Sequence, residues 1–182
     1  MRLFFALWPE PAVRAVLAQR IAGITLPEGR RVRRENLHAT LVFLGEVEVA
    51  SVSALRLAAA GVAAPAFEIV LDTIGAFPRA GVVWIGASAL PEAAGRLVAA
   101  LREALGAAGF AFDPKPFTLH VTIARDVKDR WRPPAFPPLA WPVASFALVA
   151  SVTGPAGAVY DVLDTWPLAA PGAHETALPS VR

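Results

Sequence analysis

The sequence contains the same short motif, His-x-Thr, twice. It occurs as His38-Ala39-Thr40 and as His120-Val121-Thr122, which hold two of the three histidines in the chain. In an extended strand, residues i and i+2 point to one face, so each motif presents an imidazole beside a hydroxyl. Two such strands around one cleft would provide two proton carriers and two hydroxyl donors. The motifs therefore predict general acid–base chemistry.

The segments around the two motifs also correspond. Residues 36–41 read Asn-Leu-His-Ala-Thr-Leu and residues 118–123 read Thr-Leu-His-Val-Thr-Ile, at a constant offset of 82 residues. A single histidine in an apolar strand is more often a hydrogen-bonded structural residue than a catalytic one. The duplication in the same local context favours the functional interpretation of both histidines.

Positive charge accumulates beside both motifs. The chain has 15 arginines and only two lysines, although its formal net charge is +2. The basic residues near His38 and His120 are Arg30, Arg31, Arg33 and Arg34 before the first motif, and Arg125, Lys128, Arg130 and Arg132 after the second. Arginine stays ionised, and its planar fork of donors suits phosphate. A cleft lined with one sign of charge attracts the other, so the predicted substrate is anionic.

Several other kinds of site are not supported. The chain has no cysteine, no acidic residue accompanies the histidines at metal-ligand spacing, and no Gly-x-Ser-x-Gly, P-loop or Gly-x-Gly-x-x-Gly pattern occurs. We therefore expect no metal and no cofactor.

The apolar run at the N-terminus is too short for a signal peptide, and no stretch approaches the roughly 20 apolar residues that span a bilayer. A cytoplasmic protein without membrane association is expected.

The elements that must hold the motifs follow from hydrophobic periodicity. Helices are predicted to begin after Pro9, at Ser51, which could cap its helix, and at Pro91. The inner faces of these helices are predicted from Val13, Val16, Leu17 and Ile21; from Val52, Leu55, Ala59 and Val62; and from Leu97, Leu101 and Leu105. Strands are predicted over residues 2–8, 37–44, 67–74, 82–87, 119–124, 146–152 and 158–163.

This order predicts an α+β fold rather than a doubly wound sheet, because short Gly/Pro turns join several strands too closely for parallel crossovers. The offset of 82 residues suggests two similar lobes of about half the chain each. We expect a bilobal, pseudo-twofold arrangement of antiparallel sheets with outer helices around a central cleft. Residues 1–168 are predicted to form this single domain, and residues 169–182 a flexible tail.

The motifs and their flanks resemble the two-histidine (2H) phosphoesterase superfamily, in particular its RNA 2′,3′-cyclic phosphodiesterases, also called 2′-5′ RNA ligases. The matching stretches cover residues 2–7 with Pro9, 36–45, 77–79, 83–86, 109–110, 116–125, and Tyr160 ahead of 166–168. They occur in the family's order and leave only the tail uncovered. Ala39 and Ile123 are small departures, and neither alters a reactive group.

The resemblance implies a bilobal, metal-free cleft that hydrolyses a terminal ribose 2′,3′-cyclic phosphate to a 2′-phosphate. It gives His38 the general-acid role and His120 the general-base role, although symmetry permits the reverse. Thr40 and Thr122 would donate to the phosphoryl oxygens, and Arg125 would offset their charge. Because Arg125 is five residues from His120, a regular strand would turn it away, so a bulge or strand end must redirect it.

Three activities remain open for this cleft. The first is the hydrolysis just described, on RNA 3′ ends or small nucleotides that carry a 2′,3′-cyclic phosphate. The second keeps the chemistry and changes direction or substrate: 2′-5′ joining of RNA, or hydrolysis of another small cyclic phosphate or a 2′-5′ oligonucleotide. The third is a non-catalytic RNA-end-binding module in which the histidines only bind phosphate. No obligate protein partner is evident.

Overall fold

A computed structural model describes residues 1–128, 131–154 and 157–170 of the chain. The described elements are three α-helices, ten strands and three short 3₁₀ turns, at Arg34–Asn36, Val49–Ser51 and Pro78–Ala80. The helices are α1 (Pro11–Ala22), α2 (Val52–Ala60) and α3 (Glu92–Ala107); the strands are β1 (Arg2–Leu7), β2 (Arg30–Arg31), β3 (Ala39–Glu46), β4 (Phe67–Leu71), β5 (Thr73–Phe77), β6 (Val82–Gly86), β7 (His120–Arg125), β8 (Leu139–Val143), β9 (Ser145–Gly154) and β10 (Gly157–Pro167).

The main sheet has eight strands and consists of two antiparallel halves. The strand order is β10-β9-β1-β3-β7-β6-β5, and β2 pairs with β7 in addition. The halves meet between β3 and β7 through one residue pair, Ala39 with Val121. These are the central residues of the two His-x-Thr motifs, so the pseudo-twofold relation is centred on the motifs. The predicted α+β fold with two antiparallel lobes is confirmed.

The lobes are not successive halves of the chain, which corrects the simplest interpretation of the offset. Strand β1 pairs with β3 on one side and with β9 on the other. One lobe therefore contains strands from both ends of the chain, and the other is built mainly from the middle. Periodicity predicts which segments are strands, but it does not specify their neighbours.

The helices cover the sheet as predicted, except that Val16, predicted on the inner face of α1, is exposed. Helix α3 buries Leu97, Leu101 and Leu105, the three residues at i, i+4 and i+8. Helix α1 begins at Pro11, whose fixed φ suits the first turn. Ser51 is not a side-chain cap, because a 3₁₀ turn precedes α2, Ser51 is itself helical in conformation, and its hydroxyl makes no capping hydrogen bond.

The predicted strand over residues 67–74 is two strands that belong to different sheets. Strand β4 pairs with β8, which the sequence analysis missed, and β5 pairs with β6. Asp72 separates β4 from β5, and its carboxylate accepts hydrogen bonds from Thr73 and from the backbone and hydroxyl of Ser88. Strand β8 was missed because it contains Pro142, which only an edge strand tolerates.

Two hydrophobic clusters lie on opposite faces of the sheet. The larger one contains Leu3, Phe5 and Leu7 of β1 together with the buried residues of the helices. Phe4 and Ala6, which alternate with them, belong to a smaller cluster on the other face. That smaller cluster supports the face on which the histidines lie.

The segment predicted as a tail begins inside a backbone pairing. The N–H of Ala169 donates to the carbonyl of Ala64, and the Ala169 carbonyl accepts from Ala66. Residues 171–182, including His174, and Arg130 lie outside the described residues. In the described part of the chain, no helix has the length and apolar character needed to cross a membrane.

Candidate active site

The strand register fixes how the two motifs are arranged. Extending the Ala39–Val121 pair by one residue each way places His38 across from Thr122, and Thr40 across from His120. Ala39 and Val121 are fully buried, so the other four side chains share the opposite face. Each half of the site therefore combines the histidine of one motif with the threonine of the other.

The surface depressions agree with this register. His38 and Thr122 line a cavity of about 250 Å³. Thr40 and His120 line a second one of about 260 Å³. A third depression, lined by His38, Thr40 and Arg125, shares residues with both. All five residues predicted from the sequence therefore lie along one continuous cleft.

Each histidine has the same kind of hydrogen-bonding partner, the backbone carbonyl of the residue two positions earlier. The Nδ1 of His38 donates to the Asn36 carbonyl at 2.6 Å, and that of His120 donates to the Thr118 carbonyl at 2.8 Å. Because a carbonyl oxygen only accepts, Nδ1 carries a hydrogen in each ring. Each Nε2 is then the nitrogen that can exchange a proton with a substrate. The Asn36 side chain is buried and donates to Ala158, which anchors this segment to β10.

A bulge in β7 turns Arg125 into the cleft. Thr122 pairs with Trp84 and Ala124 pairs with Val83, so Ile123 is an extra residue in β7. Ile123 and Ala124 are consecutive and both buried, which breaks the alternation and brings Arg125 to the face of the histidines. Among residues 1–128, 131–154 and 157–170, no group hydrogen-bonds or ion-pairs with the Arg125 guanidinium. Its charge is therefore available to an anion.

Strand β3 has a bulge at the equivalent point. Ala6 pairs with Thr40 and Phe5 pairs with Val42, so Leu41 is the extra residue there. The residue redirected in this case is Phe43, which lies 82 residues before Arg125 and lines the depressions near Thr40. The two halves of the site thus share their backbone geometry but differ in charge at this position.

Three aromatic rings contact His38. The Trp8 ring stacks on it with centroids 5.4 Å apart, Tyr160 makes an edge contact at 5.1 Å, and Phe4 lies at 4.9 Å. The pKa of His38 is lowered from 6.5 to about 4, mainly by burial of the ring. The hydrogen bond to the Asn36 carbonyl acts in the opposite direction, and the charges of Arg125 and His120 add to the lowering. His38 is therefore neutral in the empty cleft at neutral pH.

His120 is less enclosed. Phe77 and Trp84 make edge contacts at 5.3 and 6.5 Å. Burial and then the charge of Arg125 lower the pKa of His120, while the Thr118 carbonyl raises it. Gly86 is the register partner of His120, whereas extension of the β1–β3 register places Trp8 across from His38. This difference explains why only His38 has a stacked ring.

We expect Trp8→Leu to raise the pKa of His38 from about 4 toward 6.5, because loss of the stacked ring admits water to the imidazole. An NMR titration of the histidine ring protons measures the change. Trp84→Leu is the matched control, since that ring contacts His120 instead. An unchanged titration of His38 in Trp8→Leu would show that the stacked ring does not set this pKa.

The basic residues near the motifs do not all reach the cleft. Arg30, Arg31 and Arg33 line the cavity beside His38. Lys128 is exposed, and Arg132 lines a separate depression.

Trp8 and Phe4 were not predicted as contacts of His38, because only the strand register shows that β1 brings these rings to the histidine. Within the described ranges, no group of three or more His, Asp or Glu side chains could hold a metal.

Comparison with known proteins shows which family the chain is similar to. A model of the 2′-5′ RNA ligase superfamily matches residues 9–153. The chain is 35% identical to an RNA 2′,3′-cyclic phosphodiesterase of Escherichia coli, covering 92% of this chain and 96% of that one. It is 37% identical to the protein of that name from Thermus thermophilus, covering 97% and 95%. The crystal structure of E. coli LigT complexed with 3′-AMP superposes with a TM-score of 0.82 at 32% identity, over 92% of this chain and 97% of that one.

Proposed function

Because the chain belongs to the 2′-5′ RNA ligase superfamily, we propose that it hydrolyses a 2′,3′-cyclic phosphate at an RNA end to a 2′-phosphate. The observation that carries this proposal is the register of the motifs, which places two histidines and two threonines on one face around a shared cleft. The names of the relatives support the substrate class. The complex of LigT with 3′-AMP supports recognition of a nucleotide phosphate.

The reaction needs two proton transfers, and the site has one imidazole for each. Water attacks phosphorus as the bond from phosphorus to the 3′-oxygen breaks. In the proposed roles, His120 Nε2 takes the proton from water, and protonated His38 gives its proton to the departing 3′-oxygen. One proton is gained and one is given, so the net charge of the site is unchanged. Proton exchange with solvent then restores protonated His38 and neutral His120.

Charge that develops on the non-bridging oxygens requires donors. Thr40 and Thr122 lie on the same face as the histidines, one in each half of the site. Their hydroxyls can donate to the phosphoryl oxygens, and the Arg125 guanidinium offsets the charge. Such donors accelerate the reaction when they are already aimed at the position where the charge appears.

The lowered pKa of His38 affects the population of the active form. Since His38 has a pKa of about 4, the form with His38 protonated and His120 neutral is a minor one in the empty cleft. An anionic phosphate between the rings stabilises the imidazolium and increases that population. A weakly populated acid of low pKa is also a strong proton donor.

The test uses purified protein, an excess of chelator, and an RNA that ends in a 2′,3′-cyclic phosphate. We expect hydrolysis of the cyclic phosphate, with no joining of RNA ends and no change in the number of nucleotides. End-joining alone would instead support the ligase direction. Binding without turnover would support an RNA-end-binding module, and either of these results would contradict the proposal.

Activity is expected to survive exhaustive chelation, because proton transfer and the Arg125 charge together replace a Lewis acid in this mechanism. The measurement compares kcat/KM before and after dialysis against a chelator. Equal values are expected. Loss of turnover that a divalent ion restores would contradict the metal-free mechanism.

A further inference from the structure

The cleft extends beyond the proposed catalytic residues into a cavity lined by arginine. This cavity has a volume of about 250 Å³ and is lined by five arginines as well as by His38 and Thr122. The arginines are Arg2, Arg30, Arg31, Arg33 and Arg125. Among the described residues, no Asp or Glu lines it. Convergent positive charge around one cavity is unfavourable in the absence of an anion, and it produces a strong local attraction for one.

Several of these arginines are held in place. The Arg31 guanidinium donates to the carbonyls of Ile21 and Ile24, and Arg30 pairs with Asp126 at 3.1 Å. The Arg2 guanidinium lies 5.0 Å from the centroid of the Phe43 ring. Arginines that are already ordered lose less side-chain freedom when they bind an anion. The cavity is therefore arranged to bind anions before a ligand arrives.

The opposite side of the cleft has different chemistry. The depression around His120 is lined by three phenylalanines, Phe43, Phe77 and Phe117. Its two cations are Arg102, which donates to the Lys115 carbonyl, and Lys115, which pairs with Asp113 in the same depression. Phe43 occupies the position equivalent to Arg125 in the pseudo-twofold arrangement. The bulge in β3 therefore directs an aromatic ring into the cleft, and the bulge in β7 directs a guanidinium into it. A negatively charged nucleotide chain is favoured on the side of His38.

From the arginine cavity we infer a second phosphate site, which takes the phosphate on the 5′-oxygen of the terminal nucleoside; in RNA, this is the internucleotide phosphodiester. The inference rests on the proposed function, because it assumes that the terminal cyclic phosphate lies between the histidines. Its consequence is selectivity for a dinucleotide or longer RNA over a mononucleoside cyclic phosphate.

The test measures binding, so that it does not depend on turnover. Two dinucleotides that end in a 2′-phosphate are compared: one has the natural phosphodiester and the other a neutral methylphosphonate at the same position. We expect the wild-type protein to bind the charged dinucleotide about tenfold more tightly, the scale of a charge-assisted hydrogen bond. The advantage should fall as salt concentration rises, because the contact releases counterions.

Arg30→Gln is expected to lower this tenfold ratio at least threefold. Arg56→Gln is the matched control, since Arg56 is also an exposed arginine paired through Nε with one aspartate, at 3.2 Å to Asp164, but it does not line the cavity. A ratio near one in the wild-type protein would overturn the second phosphate site, and so would equal effects of the two substitutions. Failure of the proposed function would appear separately, as absence of turnover by a protein that still discriminates the two dinucleotides.

Discussion

Replacement of His120 by alanine is expected to lower kcat/KM for a 2′,3′-cyclic phosphate about 10²–10⁴-fold, and replacement of His38 by a similar factor. In the proposed mechanism, each variant loses one of the two proton transfers while the other half of the site remains. Because the proposed mechanism needs one histidine protonated and the other neutral, the wild-type rate should follow a bell-shaped pH profile. Both pKa values are lowered from 6.5, so the maximum of kcat/KM should lie on the acidic side of neutrality.

The two variants should remove different limbs of this profile. Without His38, the proposed acid, the fall at high pH should disappear, and only the rise controlled by His120 should remain. Without His120, the proposed base, the rise at low pH should disappear, and the rate should fall as His38 loses its proton near pH 4. His174→Ala, which changes the third histidine of the chain, is the control and should leave the profile unchanged. If His38→Ala lost the low-pH limb instead, the roles would be reversed.

Arg125→Gln is expected to lower kcat about 10²–10³-fold, the range for loss of one group that stabilises developing negative charge. The guanidinium faces the cleft because of the Ile123 bulge, and no other described side chain neutralises it. Arg132→Gln is the control, since that side chain lines a separate depression. A near-native rate in Arg125→Gln would remove Arg125 from transition-state stabilisation.

The same substitution has a second, independent consequence. The charge of Arg125 lowers the pKa of both His38 and His120, so its removal should raise both values. Both limbs of the pH profile should then move toward higher pH. NMR titration of the two imidazoles measures this effect without any turnover.

Much of the fold and all five candidate site residues could be predicted from the sequence. Helical spacing identified the buried face of α3, and alternation identified most strands of the main sheet. The repeated motif identified His38 and His120, and the position of Arg125 required a bulge that the structure contains. These features are local, and local patterns in the sequence determine them.

The remainder depends on long-range pairing, which no local pattern specifies. That β1 lies between β3 and β9 decides both the interleaved lobes and the contact of Trp8 and Phe4 with His38. The lowered pKa of His38 follows from those rings, so it could not be predicted either. Strand β8 was not predicted for a different reason: a proline such as Pro142 argues against a strand, although an edge strand tolerates it.

In the proposed reaction, water opens the cyclic phosphate by cleavage at the 3′-oxygen, and the two histidines carry the protons. Phosphorus NMR of a nucleoside 2′,3′-cyclic phosphate, incubated with the protein and chelator in ¹⁸O-enriched water, distinguishes this reaction from its alternatives. We expect a single product, the 2′-phosphate with one ¹⁸O on phosphorus, and almost none of it with His38→Ala or His120→Ala. A 3′-phosphate product, or a full rate in either histidine variant, would contradict it.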